Sequence, residues 1–268
     1  MEAKVTRHNP DAVLDSLREI YKQFIAQRTG YLHRGKSLWL NSVLGGGENA
    51  QDSASESAQD GPVYVALVGP VDAPTGYAVY TLRAGQVVHR ARPQEIKVRD
   101  MAWLDISACR DLWRFFAKHD LVGRVVWPNA PMDDPAQAIM AEPRMLHTQD
   151  HEATWWRIVD APKALAQRGY STNAELVLKL AGDDLAPWNN GTWCLQTSAD
   201  DAMDSQVTSV TKPPELTLSI KALTSLFSGM YGAQTLANWG MLHGEPDAIA
   251  KADALFATRH KPHCPDHS

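Results

Sequence analysis

Several absences narrow this chain before any element is drawn. It has no Cys-x-x-Cys pair, and its three cysteines, Cys109, Cys194 and Cys264, stand far apart in 268 residues. An odd, scattered set excludes a disulfide framework and reads as a reduced, cytoplasmic setting. No apolar run approaches the ~20 residues of a membrane span, and residues 1–7 lack the apolar core of a secretory leader. Positive charge is not in surplus either: 26 Lys and Arg face 31 Asp and Glu, for a net charge of −5. That balance disfavours a nucleic-acid partner held through a basic face and is compatible with a small cationic ligand.

What is present is ordinary soluble protein, with 44% hydrophobic and 21% charged residues. The length predicts two domains, large enough to bury their cores without a disulfide or metal staple. We place them at 1–150 and 151–268. In the first, residues 4–7 form a short strand. Asn9 then caps a helix begun by Pro10 and Asp11, and Val13, Leu14, Leu17, Ile20, Tyr21, Phe24 and Ile25 recur at helical spacing. Residues 37–44 make a short second helix. Residues 45–61, rich in Gly, Ser and acids, have nothing to bury and read as a mobile loop inside the domain. Strands follow at 63–68, 76–82 and 95–103, then a helix at 107–121 with Leu112, Trp113, Phe115, Phe116 and Leu121 as its apolar set. A strand at 125–127 and a helix from Asp134-Pro135 to Met140 complete a mixed sheet covered by helices.

The second domain reads as a strand at 154–159, a helix from Ala161-Pro162 to Gln167 and a strand at 175–180. The Asn189-Asn190-Gly191 turn leads into a strand at 192–197. Strands at 206–211 and 216–220 follow, then helices at 221–228, 234–239 and 246–256. The whole is α+β.

The chemistry-bearing residues are sparse. The tail 260–268 holds His260, His263, Cys264, Asp266 and His267, a donor set that suits zinc. Its two prolines and crowded spacing work against four tetrahedral ligands from so short a segment, so no metal is expected. Cys109 and Cys194 sit among apolar residues and read as buried thiols. Asp133-Asp134 reads as a helix cap, and Asp183-Asp184 as part of a solvated acidic loop. Trp39, Trp103, Trp113 and Trp155-Trp156 read as core or interface packing. No phosphate-binding glycine loop is visible. The one strand-to-helix step of the right kind, residues 101–112, has no glycine at its turn.

Taken in order, several segments carry a resemblance. They are Ala26 to Arg34 followed by Trp39, Gly76 to Tyr80, Leu112 to Phe116 with Asp120 to Val122, and Trp156 to Leu165. Arg168-Gly169-Tyr170, Pro187 to Gly191, Leu223 to Tyr231, Ala233 to Ala237 and Ala252 to Phe256 complete the set. Together they resemble the enhanced intracellular survival (Eis) type of GNAT N-acetyltransferase after its first GNAT domain. The resemblance implies a degenerate GNAT-like mixed sheet, then a sterol carrier protein-like α+β domain, assembled as trimers or hexamers. It implies acetyl transfer from acetyl-CoA to an amine, often of an aminoglycoside; the acidic loops of the second domain are also compatible with a polyamine, and composition gives no reason to expect a membrane or nucleic-acid partner. In aminoglycoside-modifying members the chain's own carboxyl terminus acts as base and a Tyr of the first domain as acid. By position this assigns the base to the Ser268 carboxylate, with Asp266 and His267 on the substrate side. The first domain, with its acetyl-CoA loop and Tyr, has no counterpart in this sequence. The expectation is therefore a fragment or late-starting product that binds no cofactor and is inactive alone. The rival expectation is a stand-alone small-molecule-binding or assembly module.

Overall fold

The protein is described from a computed structural model, which covers residues 4–45, 61–85, 93–152, 154–200 and 204–266. It divides into two compact units: residues 1–149 with 265–268, and residues 150–264.

The first unit is built on a five-stranded sheet in the order β1-β2-β3-β4-β5. The strands are β1 (Val5–His8), β2 (Val63–Val68), β3 (Gly76–Ala84), β4 (Gln94–Trp103) and β5 (Val122–Val126). All pairings are antiparallel except β4 with β5, so the sheet is mixed. Val65 to Val68 and Tyr77 to Thr81 are buried without a break, which requires cover on both faces. Helices α1 (Pro10–Ile25) and α3 (Ile106–Ala117) pack on the sheet and supply that cover. Asn9 caps α1 by accepting from the Asp11 N–H, and Val13, Leu17, Ile20, Tyr21 and Phe24 face the core. The short helix α2 (Lys36–Leu38) runs into a π-helical turn (Trp39–Val43) that buries Trp39. Helix α4 (Ala136–Ile139) is a single turn. The loop expected at 45–61 falls almost wholly outside the described residues.

The second unit has its own five-stranded sheet, in the order β10-β9-β6-β7-β8. Strand β6 (Ala174–Leu180) is central, antiparallel to β7 (Gly191–Thr197) and parallel to β9 (Leu216–Leu218). Strands β8 (Gln206–Ser209) and β10 (Leu242–Gly244) close the edges. Helices α5 (Ala161–Gln167), α6 (Ile220–Ser228), α7 (Ala233–Asn238) and α8 (Pro246–Phe256) bury Leu165, Leu223, Leu226, Leu236, Ala252 and Leu255 against the sheet's leucines. Gly229 ends α6 at φ 80°, and a Cβ there would strike the Thr258 side chain at 2.1 Å.

The structure corrects the reading of the sequence at five places. Residues 154–159 are not a strand. Trp188 Nε1 and Asn189 Nδ2 both donate to the Val159 carbonyl, the Ile158 N–H donates to the Thr224 hydroxyl, and Arg157 pairs with Asp183. Trp155 accordingly stands 82% exposed and packs in no core. Asp183, expected in solvent, is buried, accepting from the Ala186 N–H and the Asn189 amide as it knots the 183–190 loop. Helix α3 stops at Ala117, and Leu121 is 80% exposed. Leu121 takes a left-handed φ of 64° so that its carbonyl can pair with the Gln94 N–H and start β5. Strand β10 lies where no strand was expected.

Candidate functional site: the seat of Asp266

Two places in the first unit are candidates, the turn from β4 to α3 and the cluster that holds Asp266.

At the turn, the Asp105 side chain accepts from the Ala108 N–H at 2.9 Å and caps α3. A carboxylate therefore already occupies the helix N-terminus, where an anion would otherwise sit. Gly76 lets β3 lie close beneath the first turn of α3: a Cβ there would meet the Ala108 Cβ and the Ala102 carbonyl, each at 3.2 Å. Beyond Lys97, β4 has no pairing with β5. Indoles pack beside that part of β4, with Trp103 and Trp127 centroids 6.2 Å apart and Trp113 and Trp127 6.5 Å apart. Phe24 packs on Trp103 at 5.1 Å.

The second place is built around Arg34, which is 3% exposed. Its Nη1 and Nη2 donate to Asp100 at 2.6 and 3.1 Å. Its Nε donates to both carboxylate oxygens of Asp266 at 2.9 and 3.0 Å. The guanidinium lies over the Tyr21 ring at 4.1 Å and the Trp39 ring at 5.0 Å. Tyr77 donates its hydroxyl to Asp100 at 2.6 Å. The sheet sets this geometry. Asp100 lies opposite Val79, hence on the face shared with Tyr77, while Val98 lies opposite Tyr80. A bulge at Arg99 reverses the alternation between them and turns Asp100 toward the cluster. Arg99 itself donates to the carbonyls of Ser42 and Gly45.

Electrostatics fits the geometry. Burial opposes the Arg34 charge, but Asp100 beside it more than offsets this, and the guanidinium is held above its ordinary pKa. Burial, then the Asp100 charge, pushes the Tyr77 hydroxyl well up, so it stays a proton donor. Burial likewise pushes the Cys109 thiol up to about 12, as expected of an inert buried thiol.

Asp134 is the other perturbed acid. It accepts from the Ala136 N–H through one oxygen, while its buried Oδ2 has no hydrogen-bond partner. Burial raises its pKa to about 6, with the neighbouring Asp133 charge adding to the shift. A group raised on folding favours the fold fully below its unfolded pKa and loses that contribution as pH climbs through its folded pKa. The expected helix cap is not made, since Pro135 is the N-cap residue and no side chain caps it; Asp134→Asn keeps an acceptor for the Ala136 N–H and removes the charge. It is expected to stabilise the protein at pH 7.5 by on the order of 2 kcal/mol and to change stability little at pH 4. Urea denaturation at the two pH values measures both.

Of the residues singled out in the sequence, Asp266 is brought into the Arg34 cluster, a partner that the sequence did not reveal. His267 and Ser268 lie outside the described residues. Among the described residues no group of three or more His, Cys, Asp or Glu is placed to hold a metal ion, and no helix is long and apolar enough to cross a membrane.

Residues 30–158 match the acetyltransferase (GNAT) domain, and residues 161–265 match the sterol carrier protein domain. The chain is 26% identical, over 96% of its length, to an uncharacterized N-acetyltransferase of Streptomyces coelicolor, of which it spans 59%. Among solved structures it is similar to a GCN5-related N-acetyltransferase from Anabaena variabilis, at 27% identity and a TM-score of 0.77, covering all of this chain and 63% of that one. It also shares its fold with Eis1 from Mycobacterium abscessus, at 24% identity and a TM-score of 0.72, covering 98% of this chain and 62% of that one. The chain thus spans about three-fifths of the length of the relatives it matches.

The GNAT match raises the question of acetyl-CoA, and the residues of the first unit do not fit it. The Asp105 carboxylate would face the pyrophosphate at the α3 N-terminus, like charge to like charge, and indoles pack against one another beside β4.

Proposed function

We propose that this chain is the central and carboxy-terminal region of an Eis-type N-acetyltransferase that moves an acetyl group to an amine. The observation that carries the reading is the order of parts: a GNAT-like unit whose helix N-terminus is closed by Asp105, followed by a sterol carrier-like unit. Relatives named as N-acetyltransferases, longer than this chain, support it. In this reading acetyl-CoA is held outside these residues, the acceptor is an aminoglycoside or polyamine amine, and the assembly is a cytoplasmic trimer or hexamer. The chain's own part is proton transfer. The Ser268 carboxylate takes a proton from the acceptor ammonium and frees its lone pair, while His267 lies beside the acceptor. Alone the chain is inactive, because half of a reacting constellation positions nothing.

The test is a thiol-release assay with acetyl-CoA and an aminoglycoside or spermidine as acceptor. It is run on the chain alone and on the chain joined to the part of the Anabaena variabilis acetyltransferase that lies outside the matched 63%. The expected result is turnover only in the joined protein. Turnover by the chain alone overturns the division of labour, and turnover by neither overturns the enzyme reading. A second reading, a stand-alone binding or assembly module, draws on the large side chains exposed in the second unit, Trp155, Val159, Leu185, Trp188 and Trp239. Neither protein turning over while the chain alone retains a small apolar or cationic ligand supports that reading.

A further inference from the structure

The contact to Asp266 has the construction of an interior feature. A surface ion pair joins two solvated, flexible side chains and fixes little. Here the cation is also held by groups outside the tail: Tyr21 and Trp39 lie against it, and Asp100, itself held by Tyr77, takes the two Nη atoms. That leaves Nε, a buried donor, pointing at both oxygens of Asp266. The Asp266 side chain is only 9% exposed. A second point of attachment lies one residue earlier, where Asn129 Nδ2 donates to the Pro265 carbonyl at 3.5 Å.

We infer that Arg34 is a positioning residue for the carboxy-terminal segment: its Nε edge fixes the Asp266 side chain and so sets the point from which the chain continues. The anchoring stands on the geometry alone. Only its use, delivery of a carboxylate to an amine, rests on the function proposed above.

The experiment is NMR relaxation on the whole 268-residue chain. The Asp266 amide is expected to show an order parameter near the rigid-backbone value of about 0.85, and to fall below about 0.6 in Asp266→Asn. Asp266→Glu, which keeps the charge, is expected to stay rigid. The Tyr21, Trp39 and Tyr77 signals are expected to be unchanged in both variants, because Asp100 still holds Arg34. A mobile Asp266 in the parent chain, or an equally rigid one in Asp266→Asn, overturns the anchor and leaves the proposed function untouched. The joined protein separates the two ideas. A tail freed by Asp266→Asn, with kcat falling at least tenfold and KM for acetyl-CoA unchanged, supports both. A freed tail with kcat unchanged keeps the anchor and refutes the carboxylate's role in catalysis.

Discussion

Arg34→Met is expected to destabilise the first unit by about 3–5 kcal/mol and to lower its melting temperature by roughly 10 °C. The substitution keeps much of the side chain's volume between Tyr21 and Trp39 but removes the only cation ion-paired with Asp100 among the described residues. Asp100 is 6% exposed, and the Tyr77 hydroxyl alone would then face it. The cost is that of a buried charge left uncompensated, which far exceeds the net worth of an ion pair. The same logic predicts a rescue. Adding Asp100→Asn to Arg34→Met removes the stranded charge, so the double variant loses less than the sum of the two single ones. Denaturant unfolding of the four proteins measures the cycle. A loss under 1 kcal/mol for Arg34→Met means that Asp100 is solvated or otherwise paired in solution.

Much of the fold was legible because its signals are local. Asn9-Pro10-Asp11 states where α1 starts, and all five buried residues of α1 lie in its predicted apolar set. The apolar runs of β2 and β3 state two interior strands, and Asn189-Asn190-Gly191 marks the entry to β7. The failures have a common cause. Residues 154–159 carry strand-like side chains, but the Val159 carbonyl is taken by Trp188 and Asn189, about thirty residues on, and the Ile158 N–H by Thr224, and sequence periodicity carries no information about that competition. Strand β10 is three residues long and is defined only by its pairing with β9. Leu121 has the composition of a helix core and the backbone of a turn.

The Asp266 site was half legible. The tail was singled out for its His, Cys and Asp content, and residues 26–34 for their resemblance. Nothing linked them, because Arg34 lies 66 residues from Asp100 and 232 from Asp266. Ion pairs at such separation leave no spacing pattern.

The largest effect on activity is expected from deleting residues 267 and 268 in the joined enzyme, which should lower kcat by about 10²–10⁴-fold and leave KM for acetyl-CoA unchanged. In the proposed mechanism the deletion withdraws the base from the acceptor, since the residue then last in the chain, Asp266, is already bound to Arg34. Stability is expected to stay as it was, since the Asp266 side chain and its partners remain. Asp266→Asn should cost less than the deletion, because the carboxylate survives and only its placement is lost. The order of the two variants therefore separates chemistry from positioning. A deletion that costs no more than Asp266→Asn means the terminal carboxylate takes no proton, and the tail acts only by where it lies. A deletion with no effect on kcat removes the tail from the reaction and leaves the Arg34 anchor as an element of stability.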